Sequence, residues 1–189
     1  MKTLKTLLLS MAVMCIMISC GRSGNVAAGD SPGKSKAKMV TLPFDVTAKG
    51  NYVYVGPDTL TVPKCVAPLN IWRAIVEGDG TGTPTGDFKM HFDFCGDSLS
   101  NYGNTVAYMA LSDGDTIFVT GSGRVMDGRL SDHPAFVVSY WKDPFVILGG
   151  TGKYAGATGE IMTNDYNSSE DSNSHHHWTG TITMKKGKV

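Results

Sequence analysis

The chain has 189 residues, with 17 Lys and Arg against 17 Asp and Glu, and it is 41% hydrophobic and 18% charged. That apolar content can build a core, so wholesale disorder is excluded, and the length suits one domain with extensions. Balanced charge without a clustered Lys/Arg face gives no basic field for nucleic acid.

Lys2 and Lys5 open the chain, and Leu7 to Ser19 follow without a charge. A spanning helix needs about 20 apolar residues, whereas this shorter run suits the core of a signal peptide. It ends in Ile18-Ser19-Cys20-Gly21. A small residue before Cys at the end of such a core resembles the lipobox of bacterial lipoproteins, with Met17 where Leu is usual. The resemblance implies cleavage after residue 19 and acylation of Cys20, which then anchors the chain in a membrane. Stable anchoring takes more than one acyl chain, a requirement a triacylated Cys exceeds. The absence of Asp after Cys20 implies the outer membrane of a bacterial envelope. The alternative is an ordinary secretory signal with Cys20 as a bystander. Residues 20–38 are rich in Gly, Ser, Ala and Lys, with Val26 as the one large apolar side chain after Cys20, and read as a flexible tether.

From Met39 on, no apolar stripe of helical period and helix length occurs; the pattern alternates with period two instead. Candidate strands in chain order are 42–48, 52–55, 70–77, 88–94, 105–111, 116–121, 135–141, 145–148, 159–164 and 178–184. In the clearest, Phe88, Met90, Phe92 and Phe94 share one face, and Lys89, His91 and Asp93 share the other. Asp113-Gly114 between two apolar runs signals a hairpin with a type I′ turn. Lys142-Asp143-Pro144 separates two further runs, and Asn164 to Ser174 reads as a solvated loop. Many short consecutive strands mean a sandwich or a barrel, and closure removes exposed edges. The expected fold over residues 39–189 is all-β, a single antiparallel β-barrel of about eight strands.

The lipobox resemblance implies that Cys15 leaves with the signal peptide and that Cys20 carries lipid, so Cys65 and Cys95 remain. An oxidising, exported compartment lets them pair. A hairpin turning through Gly78 to Gly82 and centred on Gly80 places Cys65 level with Cys95 and Trp72 opposite Phe88. The alternative is two buried free thiols.

The most distinctive string is GGTGKYAGATG, residues 149–159. It is no P-loop, because Tyr154 stands where Ser or Thr belongs and Ile147 where the first Gly belongs. It reads as a tight turn between strands, lined by Gly149, Gly150, Gly152, Gly156 and Gly159, with Tyr154 as an apolar plug. The string resembles a signature of dirigent proteins and allene-oxide-cyclase-like barrels. Gly80 to Phe88, Asp113 to Ile117 and Trp178 to Ile182 resemble further patterns of that family in the same order, with Pro84 where its bacterial members carry His. The resemblance implies an eight-stranded antiparallel barrel with an apolar cavity. It carries no catalytic residue over to this chain, because the family's catalytic residues lie outside the glycine string.

Other motifs read plainly. His175, His176 and His177 alternate in direction if extended, which suits no single metal ion, and neither H-E-x-x-H nor a second Cys/His cluster accompanies them. His91 is a candidate acid or base on a polar face. Ser122 lacks the G-x-S-x-G setting, and Asp132-His133-Pro134 reads as a turn. Tyr52, Tyr54, Tyr102, Tyr108, Tyr140, Trp72 and Trp141 are candidates for barrel wall or pocket lining. No cofactor motif and no catalytic constellation is readable. The leading expectation is an envelope-anchored barrel binding a small apolar molecule or a partner protein. Alternatives are a cyclase- or isomerase-type enzyme working in the cavity, and a structural surface protein with a filled barrel.

Overall fold

The computed structural model describes residues 37–186; the signal segment, Cys20 and most of the tether lie outside them. The strands are β1 (Met39–Gly56), β2 (Trp72–Thr83), β3 (Phe88–Gly96), β4 (Asn101–Leu111), β5 (Thr116–Gly121), β6 (Gly123–Arg124), β7 (Met126–Asp127), β8 (Val137–Trp141), β9 (Pro144–Gly150), β10 (Thr158–Thr163), β11 (Asp165–Ser168) and β12 (Asn173–Lys185). All pairings are antiparallel. The order β1-β2-β3-β4-β5-β9-β10-β12 closes through β12 pairing with β1, giving an eight-stranded barrel.

The remaining strands continue barrel strands at one end. Ile147 faces Gly159, and six residues back in one strand and six on in the other, Trp141 faces Asp165. So β8 with β9, and β10 with β11, are each one long strand interrupted by a kink. At the first kink, Pro144 has no N–H for the ladder. Asp143 there donates its N–H to Thr163 Oγ1 at 2.8 Å, and its carbonyl accepts the Thr163 N–H at 3.0 Å. The Lys142-Asp143-Pro144 segment is thus an interruption within a strand, not a turn between paired strands.

Two sequence expectations about turns are corrected. The β2–β3 register sets Trp72 opposite Gly96 and Gly80 opposite Phe88. The chain therefore reverses at Thr83 to Asp87, after the expected position, with Gly86 at φ 68°. Gly78, Gly80 and Gly82 are strand residues: a Cβ at Gly78 would sit 1.9 Å from the Lys49 carbonyl, and one at Gly80 2.3 Å from the Phe88 ring. These glycines make room for neighbouring chain and ring, and alternate glycine in a strand resembles turn chemistry in sequence. In the β4–β5 hairpin only Gly114 has positive φ (87°), and Asp113 Oδ1 accepts the Asp115 N–H. A type I′ turn needs two such residues; one suits a longer loop with glycine at its left-handed position.

The barrel's lower half is filled. Phe44, Phe88, Leu111, Ile117, Ile147 and Ile182 are buried there, and Val46, Met90, Met109, Val119, Ile161 and Trp178 lie above them. The glycine string ends β9, forms a 3-10 turn at Gly152–Tyr154 and starts β10. Tyr154 is fully buried, and its hydroxyl donates to the Pro84 carbonyl at 3.2 Å.

At the other end, the segment joining β1 to β2 is tied to β3. A disulfide links Cys65 in that segment to Cys95 in β3, with Cα atoms 5.4 Å apart. The β2 residue opposite Cys95 is Arg73, so the bond does not arise from the hairpin register argued from sequence. The Arg73 guanidinium holds both oxygens of Asp93 at 2.8 Å, and Lys64 Nζ lies 2.9 Å from Asp93 Oδ1. Asp58 accepts the N–H groups of Leu60, Lys64 and Cys65. Asp93 therefore does not meet solvent as its place on a polar face suggested. Burial pushes its carboxyl up, but hydrogen bonds from Arg73 and Lys64 outweigh this and hold it below the ordinary 3.8. A lowered carboxyl contributes stability that is present above its unfolded value and lost as pH falls through its folded value. The melting temperature is expected to fall below about pH 4. The Asp93→Asn variant should start lower at pH 7 and show a flatter acid limb, as measured by thermal melts from pH 7 to pH 2.

Candidate functional site

The open end of the barrel holds a cavity of about 350 Å³. Its wall is built from the strand ends that gather there: Tyr52 and Val55 of β1, Trp72, Ala74 and Val76 of β2, Phe92 and Phe94 of β3, Tyr102 and Thr105 of β4, Trp141 of β8 and Phe145 of β9. Of the aromatic candidates, Tyr52, Trp72, Tyr102 and Trp141 line this space. Tyr108 instead stacks on His91 at 4.9 Å, and His91 meets Glu77 at 3.3 Å, away from the cavity. Tyr140 packs edge-on to His133, and the Tyr54 hydroxyl donates to the Pro57 carbonyl.

One group of polar side chains interrupts the apolar wall. The alternation of β12 runs back from Trp178 through His176 to Ser174, and all three are buried. Asp165 of β11, 2% exposed, joins them. Its Oδ2 lies 2.8 Å from His176 Nδ1, and His176 Nε2 lies 2.8 Å from Ser174 Oγ. Asp165 also accepts from Trp178 Nε1 at 2.9 and 3.0 Å and from the His177 N–H at 3.0 Å. Asp165 is the acceptor in its contacts with Trp178 and the His177 N–H, and a carboxylate that accepts from His176 as well assigns the Nδ1 proton to that ring. The Ser174 hydroxyl then has two acceptors within reach, His176 Nε2 at 2.8 Å and the Gly50 carbonyl at 3.3 Å. The imidazole is enclosed by Phe92, Trp141 and Trp178, with ring centres 5.7 to 6.1 Å away.

The outward histidines go elsewhere. His175 stacks on Tyr166 at 4.6 Å and meets Asp171 at 3.0 Å, while His177 meets Asp45 at 3.0 Å. Among the described residues no three metal-ligating side chains converge.

At the rim, Tyr102 donates to Asp143 Oδ2 at 2.8 Å. Burial, and then the Asp143 charge, push the Tyr102 hydroxyl far above its ordinary value. Burial likewise raises the Asp143 carboxyl, against hydrogen bonds from Tyr102 and the Arg124 N–H. Burial also raises the Tyr52 hydroxyl, which donates to Asn167 Oδ1 at 3.2 Å.

In the sequence, Asp165 and Ser174 read as parts of a solvated loop and His176 as part of a histidine run. The usable signal was the period-two pattern of β12, which continues through Ser174 and His176 on the Trp178 face. The glycine string lies at the opposite end from the cavity and contributes none of its lining. Cys20 lies outside the described residues. A wider groove of about 950 Å³ also exists, but it is open and carries Lys49, Asp79, Asp87 and Lys89 on its walls. The smaller cavity has the apolar enclosure and few converging polar groups of a small-molecule site.

No protein-family profile matches the chain, and no curated protein is significantly similar to it. Among solved structures it is similar to the pterocarpan synthase dirigent protein GePTS1, at 14% identity over 80% of this chain and 89% of that one, with a TM-score of 0.48. It is similar also to the pterocarpan synthase dirigent protein PsPTS1, at 15% identity over 79% of this chain and 97% of that one, with a TM-score of 0.45.

Proposed function

We propose that this protein is a lipid-anchored binding barrel of the bacterial envelope that holds one small, largely apolar molecule in the cavity at its open end. The observation that carries the reading is the cavity of about 350 Å³, walled by aromatic and aliphatic side chains and polar chiefly at Asp165, His176 and Ser174. Such a wall favours an apolar body by desolvation, and the polar group orients one polar end. The filled lower half supports confining the ligand to this end. The anchor rests on the Ile18 to Gly21 string, and membrane attachment through Cys20 would hold the barrel beside a source of apolar molecules.

The test is saturable binding of an environment-sensitive apolar fluorophore to the detergent-extracted protein. Ala74 is buried in the cavity wall, so Ala74→Phe fills the site. It is expected to weaken binding at least tenfold, about 1.4 kcal/mol. Unchanged binding would place the ligand elsewhere. For the anchor, Cys20→Ser is expected to move the protein from the detergent phase to the aqueous phase in a partition assay; retention in detergent would end that part of the reading. A second reading, an enzyme working in the cavity, is favoured by the hydrogen-bonded chain from Asp165 to Ser174.

A further inference from the structure

We infer that Ser174 is an acylatable nucleophile activated by His176 and Asp165, and that the cavity accepts a carboxylic ester of a small apolar acid. This rests on the reading of the cavity as a binding site. Ser174, His176 and Asp165 form one chain, with contacts of 2.8 Å on both sides of the imidazole, and His176 Nε2 is the nearer of the two acceptors of the Ser174 hydroxyl, the Gly50 carbonyl lying at 3.3 Å. The order hydroxyl, imidazole, carboxylate is the one in which a serine proton is drawn to Nε2 while the carboxylate fixes the ring's tautomer and direction. Asp165 is itself held by Trp178 Nε1 and the His177 N–H, so the base is positioned before any ligand arrives. All three side chains line the cavity. Three buried polar residues at a site that apolar side chains would fill at less desolvation cost point to chemistry rather than packing.

In the step, Ser174 Oγ bonds to the ester carbonyl carbon while its proton passes to His176 Nε2. The bond from that carbon to the leaving oxygen then breaks, and the leaving group takes the proton. Water, activated by the same imidazole, releases the acid and restores Ser174. No oxidant or reductant is required. Ser174 is paired on both sides of its strand, opposite Gly50 and Asn167, so its backbone offers no open oxyanion site. Weak oxyanion support makes both halves slow. The expected signature is therefore a stoichiometric acyl-protein with poor turnover.

The experiment treats the full-length protein in detergent with p-nitrophenyl butyrate and, separately, with a fluorophosphonate, followed by intact mass and peptide mapping. One adduct per chain on Ser174 is expected, absent in Ser174→Ala. Asp165→Asn, which permits the wrong imidazole tautomer, should slow acylation by roughly 10²-fold or more. Thermal melts establish that both variants fold. Fluorophore binding without an adduct on Ser174, or acylation of Ser174 unaffected by Asp165→Asn, overturns the inference and leaves the binding reading standing. Absence of fluorophore binding by the unaltered protein removes both.

Discussion

Asp165→Ala is expected to destabilise the barrel by about 3–5 kcal/mol, because it removes the shared acceptor of a buried polar group. Asp165 takes hydrogen bonds from His176 Nδ1, Trp178 Nε1 and the His177 N–H, and it is 2% exposed. Each buried donor left without a partner costs about 1–3 kcal/mol, and water entering the cavity would recover part of that. Asp165→Asn keeps the shape and one acceptor oxygen, so its loss should be smaller. Urea unfolding checks this: the midpoint of the alanine variant should fall with little change in slope. At this domain size the melting temperature should fall on the order of 10 °C. A loss under about 0.5 kcal/mol would mean that the group is solvated, since that is the size of an ordinary surface change.

The second large effect concerns the tie at the cavity end. Replacing both Cys65 and Cys95 by Ser removes a cross-link between residues 30 apart in sequence. In the chain-entropy account, a loop of that length corresponds to roughly 3–4 kcal/mol of stability. The native segment keeps other holds, namely Asp58 on three backbone N–H groups and the Lys64 and Arg73 contacts to Asp93. The double variant should therefore fold, with lower stability and a looser segment. Trp72 directly follows that segment and lines the cavity, so fluorophore affinity should fall as well. Denaturant unfolding and fluorophore titration measure the two effects. Unchanged stability would show that the cross-link does not constrain the unfolded chain.

Much of the strand pattern was legible because a half-buried strand writes its two faces into alternate residues. Residues 116–121 read as a strand and form β5. The long strands were cut short where the pattern weakens. β1 runs unbroken from Met39 to Gly56, although Lys49, Gly50 and Asn51 look like a break. There Gly50 has no side chain because Val76, Met90 and Ser174 already occupy its place: a Cβ would meet them at 2.4 to 2.9 Å. The β2–β3 turn was misplaced for the same reason, with packing glycines taken for turn glycines. β11 was missed because Asp165, Asn167 and Ser168 carry no apolar signal, and polarity was read as solvent contact.

The sequence alone determined that this chain forms consecutive antiparallel strands, with large apolar residues of β3 and β12 on one face. Alternation, turn chemistry and the lack of a helical stripe are local properties, readable without knowing which strands become neighbours. Only the tertiary structure decided the register of β2 on β3, the continuation of β8 into β9 across the Asp143 kink, and the gathering of Asp165, His176 and Ser174. Those depend on closure. Closing β12 onto β1 turns one face of every strand inward whatever its polarity, and hydrogen bonds among the enclosed polar groups then make that burial tolerable.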